Sequence, residues 1–162
     1  MSHLRKPRTA EQLWCDCVHE AGHAVIARHL GLQIVQTTTT SVTVRAPAPR
    51  PIREYVRVRG GAYRARNLWE APSVRRELTT AAAGEMAARW ILDVEYGGGG
   101  RDYMDCVELL RGLGADAKVI DREIVAAQRR ALKLIWKLKP EILATAERLR
   151  ADTKLPKRRK KQ

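Results

Sequence analysis

The chain has 162 residues, 44% of them hydrophobic, which suffices for one core and argues against two independent domains. Lys and Arg total 31 against 18 acids, a formal net charge of +13 that favours anionic partners, nucleic acid among them. The apolar runs are too short to span a bilayer, so no membrane insertion is expected, and three cysteines fit a reducing cytoplasm better than a disulfide framework.

Residues 1–8 read as a disordered basic arm; they are followed by no continuous apolar stretch and so are not a secretory signal. Thr9 and Gln12 have the spacing of a capping box and Gly31 is a natural stop, which predicts a helix from Ala10 to Leu30. Inside it lies His19-Glu20-Ala21-Gly22-His23. Helical positions four apart differ by about 40° of rotation, so both imidazoles leave one face a turn apart and can grip one metal ion. Glu20, about 100° round from His19, is placed to take a proton from a water on that metal. This is the arrangement of zinc metallopeptidases, with a coordination position left open. The bland reading is two surface histidines beside a surface glutamate. Val18, Ala21, Ala24, Val25 and Ile26 make the segment too apolar for that, and the histidines are expected to face a partly enclosed space. His29 is off the metal face and suits the dipole at the helix C-terminus.

From Leu32 to Arg45 the β-branched residues predict one or two short strands. Pro47, Pro49 and Pro51 then break regular structure. In Tyr55-Val56-Arg57-Val58-Arg59 alternation predicts a half-buried strand ending at Gly60-Gly61, its outer face positively charged. Such a sheet beside a metal could hold an extended peptide, or its arginines could meet phosphates. A second helix should follow Pro72-Ser73, with Val74, Leu78, Ala81, Ala82 and Trp90-Ile91 as its apolar stripe. Ala81-Ala82-Ala83-Gly84 is a small-residue run in mid-helix, where Gly costs about 1 kcal/mol relative to Ala. Close approach of another helix explains it, and the metal-binding helix is the expected neighbour.

Gly97-Gly98-Gly99-Gly100 reads as a flexible, non-helical turn before a short helix starting near Arg101. No Lys-Ser/Thr follows it, so a phosphate loop is a weak reading. Asp102 is either a partner for the N-terminus of that helix or the third metal ligand. Cys15 and Cys106 each lie one turn from a proposed ligand. A structural four-ligand site is therefore an alternative, although core packing is the commoner fate of such thiols. The apolar spacing from Val119 to Leu138, then Pro140 to Leu149, predicts a C-terminal helical hairpin serving as scaffold or as a homo-oligomer surface. Residues 154–162 form a basic tail.

Three segments in this order resemble the peptidase domain of FtsH-type zinc metalloproteases: His19-Glu20-Ala21-Gly22-His23-Ala24-Val25, the helix Ala82-Ala83-Gly84-Glu85-Met86-Ala87-Ala88, and Gly98-Gly99-Gly100-Arg101-Asp102-Tyr103. The resemblance covers roughly residues 10–153. It implies Zn²⁺ held by His19, His23 and Asp102, with Glu20 activating the water. That family usually has glutamates where this chain has Ala88 and Arg89, and Glu85 is the candidate to support a histidine instead. No Gly-x-x-x-x-Gly-Lys-Ser/Thr occurs, so the resemblance further implies loosely folded substrates or a separate ATPase partner.

The expectation is thus a mainly α domain over residues 9–153, with a small β-sheet after the His-Glu-x-x-His helix, acting as a cytoplasmic zinc endopeptidase on unfolded or loosely folded proteins. The alternative is a basic nucleic-acid-binding or adaptor protein on a peptidase-derived fold, catalytically weak or inactive, contacting phosphates through Arg57, Arg59, Lys157, Arg158 and Arg159.

Overall fold

The computed structural model describes residues 9–37, 42–45 and 65–153. The basic arm, the strand expected over residues 55–59 and the basic tail lie outside the described residues. What is described is mainly helical, with one two-stranded sheet.

Helix α1 (Ala10–His29) begins with the expected capping box: the Gln12 backbone N–H donates to Thr9 Oγ1 and the Thr9 N–H donates to Gln12 Oε1. It ends at Leu30, where Gly31 takes the left-handed conformation, φ +75°. From Cys17 to Ala27 every residue is buried, so α1 is enclosed on all sides rather than along one stripe. Strands β1 (Gln33–Thr37) and β2 (Val42–Arg45) follow as an antiparallel pair, Gln33 opposite Arg45 and Thr37 opposite Val42. The register shifts between Ile34 and Gln36.

A short 3₁₀ segment (Ala65–Glu70) leads into α2 (Pro72–Leu92), whose proline stands in the first turn, where a missing N–H costs nothing. Its expected close approach to α1 is present. A Cβ on Gly22 would lie 2.7 Å from the Ala87 Cβ and 2.8 Å from the Ala83 carbonyl oxygen, so only glycine lets the two backbones come this near. Trp90, expected in the apolar stripe, is instead half exposed. The buried line runs through Thr80, Ala83, Gly84 and Ala87 and leaves Trp90 off it.

Helix α3 (Gly100–Gly112) starts one residue earlier than expected: Gly100 is helical and Gly99 is the cap. Helix α4 (Ala117–Asp152) is capped by Asp116, whose carboxylate accepts from the Val119 N–H at 2.9 Å. It runs unbroken for 36 residues through Pro140, so there is no C-terminal hairpin. Pro140 is exposed, and Trp136, whose carbonyl loses its partner, is exposed too, so water can replace the missing bond. Meanwhile Ala131, Ile135, Leu138, Ile142, Ala146 and Leu149 form one continuous stripe against α1 and α2, which a break at residue 140 would split.

The interior has two clusters. One joins α1, α2 and the C-terminal two-thirds of α4; the other joins Trp69, Leu78, Cys106, Val107, Leu110, Ile120, Ile124 and Ala127. No helix among the described residues is long and apolar enough to cross a membrane.

Candidate metal centre

The helical spacing of His19 and His23 brings their Nε2 atoms to 3.0 Å. Asp102, in the first turn of α3, closes the group: its Oδ2 lies 3.1 Å from His19 Nε2 and 3.2 Å from His23 Nε2. The backbone N–H groups at the start of α3 are not capped by this side chain, which is turned to the imidazoles instead. These three residues form a group that could hold a metal ion, and neither Cys15 nor Cys106 belongs to it. Burial pushes the Cys106 thiol up to about 12, with the charges of Asp102 and Asp105 adding to the effect, so it is a protonated core residue.

The donor set fits a cation. Three ligands each about 2 Å from one ion and tetrahedrally disposed would be about 3.3 Å apart, close to the observed separations. Protons alone cannot satisfy the triangle. Each Nε2 carries at most one hydrogen, and if both donate to Asp102 the two nitrogens are left facing each other with N–H against N–H. A single positive charge at the centre satisfies all three atoms together.

Helix α2 sets the orientation of His23. Its Nδ1–H donates to the Thr80 carbonyl at 2.7 Å, which leaves Nε2 as the lone-pair atom of the neutral ring. A Cβ on Gly84 would lie 2.2 Å from His23 Nε2, so the glycine in mid-helix makes the space this ring occupies. Glu85, the sequence candidate for supporting a histidine, does not do so: it pairs with Arg89 at 3.5 Å and lies against Gly99. The backbone of Thr80 fills that role because small residues let α2 approach, and a carbonyl gives no signal in a sequence.

Glu20 is buried at 7% exposure beside the triad. Burial raises its pKa, while the nearby charges of His23 and His19 pull it back. With no metal, His23 sits above its ordinary value: burial opposes the charged ring, but the hydrogen bond to Asp102 and that carboxylate's charge prevail. Asp102 is held well below the carboxylate range; burial opposes this, and the hydrogen bonds from both imidazoles outweigh it. The Asp102 side chain is 26% exposed against 6% and 10% for the imidazoles, so the site opens to solvent on the α3 side.

Sequence reasoning passed over Tyr96. Its hydroxyl donates to Asp16 Oδ1 at 3.0 Å, and its ring lies 4.9 Å from the His19 ring, tilted by 36°. Burial and the neighbouring Asp16 raise its pKa, so it stays a donor. A lone aromatic before a glycine run was the available signal. Arg57, Arg59, Lys157, Arg158 and Arg159 lie outside the described residues.

Compared with known proteins, the chain matches no family model, no curated protein and no solved structure.

Proposed function

We propose that this protein is a zinc-dependent endopeptidase acting on unfolded or loosely folded proteins. The observation that carries the reading is the meeting of His19, His23 and Asp102 within 3.2 Å, beside the buried Glu20. His19, His23 and Asp102 would hold the zinc, which would supply a Lewis acid for the scissile carbonyl and bring the pKa of a water toward neutrality. Glu20 takes a proton from the attacking water as the C–O bond forms and delivers it to the amine nitrogen as the C–N bond breaks. Thr80 keeps the proton of neutral His23 on Nδ1 and so reserves Nε2 for the metal. The β1–β2 pair, packed against α1, is the element suited to holding a peptide extended. The resemblance to FtsH-type peptidases supports the same reading, and with it a separate ATPase as partner.

In the test, purified Glu20→Gln should keep its zinc and cleave an unfolded protein about 10²–10⁴-fold more slowly than wild type. Equal rates would sink the mechanism. The net charge of +13 favours a second reading as a nucleic-acid-binding protein. A DNA affinity that falls steeply with salt, with no peptidase activity, would support that one instead.

A further inference from the structure

We propose that Tyr96 is a positioning residue for the third ligand: its hydroxyl ties the glycine turn that carries Asp102 to helix α1, and so sets the carboxylate against the two imidazoles. This rests on the metal reading of the site. The two histidines come from one rigid helix, whereas Asp102 comes from α3, which packs chiefly on α2 and α4 rather than on α1. The turn before it, Gly97 to Gly99, has the greatest backbone freedom a chain can have. Something must fix that turn relative to α1, since a ligand about 1 Å out of place loses much of its contact with a metal.

Tyr96 stands immediately before the glycines and reaches Asp16 on α1, three residues before His19. The turn folds back over the phenol: a Cβ on Gly98 would lie 2.3 Å from the Tyr96 hydroxyl oxygen. On its other side Gly99 is buried against α2, where an added Cβ would lie 2.8 Å from the Glu85 Cβ. The turn is therefore pinned to both helices just before α3 begins, with Asp102 two residues beyond its first helical position.

Tyr96→Phe keeps the ring against His19 and removes the tether alone. Zinc affinity, measured by chelator competition, should fall about 10–100-fold, the usual effect of losing a group that orients a ligand. The visible spectrum of the Co²⁺-loaded protein should lose intensity as the carboxylate is loosened, while the melting temperature of the metal-free protein falls by only about 2–4 °C, the cost of one hydrogen bond. Gly98→Ala, which displaces the phenol, should reproduce this pattern. In an Asp102→Asn background Tyr96→Phe should change zinc affinity no further. The proposal is overturned by wild-type affinity in Tyr96→Phe, by an equal loss in the Asp102→Asn background, or by a drop in metal-free melting temperature well beyond about 4 °C. Wild-type protein that takes up no zinc would bring down the metal reading itself and the tether with it, a result distinct from wild type and variant binding equally well.

Discussion

The seam between α1 and α2 and the cluster beneath α3 are built from opposite kinds of side chain. At the seam the contacts are Ala21, Gly22, Ala83, Gly84 and Ala87; in the cluster they are Trp69, Leu78, Leu110, Ile120 and Ile124. Small residues bury little apolar area but let two backbones close in, which brings the Thr80 carbonyl to His23 and opens the space for its ring. Large residues contribute apolar burial, at about 25 cal/mol per Å². The difference separates two tasks: the seam places donor atoms, and the cluster supplies stability.

Gly84→Ala should have the largest effect and strikes only the first task. Its new Cβ would collide with His23 Nε2, and the ring can move away only by giving up Thr80. Zinc affinity should collapse, while the metal-free melting temperature changes little, because Ala gains about 1 kcal/mol of helix propensity against the clash. Leu110→Ala should do the reverse. Its side chain is fully buried, so unfolding free energy should fall by about 2–5 kcal/mol, with zinc affinity of the folded protein unchanged. If both variants lost affinity and stability together, the division between the two regions would be wrong.

The pH dependence sharpens the same contrast. In the metal-free protein His23 has a raised pKa, so its contribution to stability is full below the ordinary value of about 6.5 and is lost as pH rises through the folded value. Asp102 has a lowered pKa, so its contribution is present above about 3.9 and lost as pH falls through the folded value. The imidazolium–carboxylate contact therefore stabilises the metal-free protein most between these limits. Zinc needs neutral imidazoles and gains with rising pH. The gap between zinc-loaded and metal-free melting temperatures should widen from pH 6 to pH 8; a constant gap would exclude His23 as a ligand. The smallest effect is Thr9→Ala, which removes the cap of α1 and should cost about 1 kcal/mol of stability by chemical denaturation.

Signals carried by side-chain type at fixed spacing were legible in the sequence. The capping box set the start of α1, the pair His19 and His23 announced a shared face, and the run around Gly84 announced a close neighbour. Asp102 was legible as a ligand only through its glycine turn and the resemblance it completes. What escaped depends on the surroundings of each residue. Pro140 has the local chemistry of a helix start, and only its position on the solvent side of a stripe that continues past it keeps α4 whole. The partner of His23 is a backbone carbonyl, which any residue at position 80 could supply. Tyr96 and Asp16 are 80 positions apart, and no period links them.

At about 1.5 Å per residue, α4 is a rod some 54 Å long. Ile120, Ile124 and Ala127 near one end belong to the bulky cluster, and the positions from Ala131 to Leu149 belong to the core beneath the histidines. A single strut thus underlies both regions and neither can melt without releasing it. Heating should disorder the imidazoles and the aliphatic flank in one cooperative step.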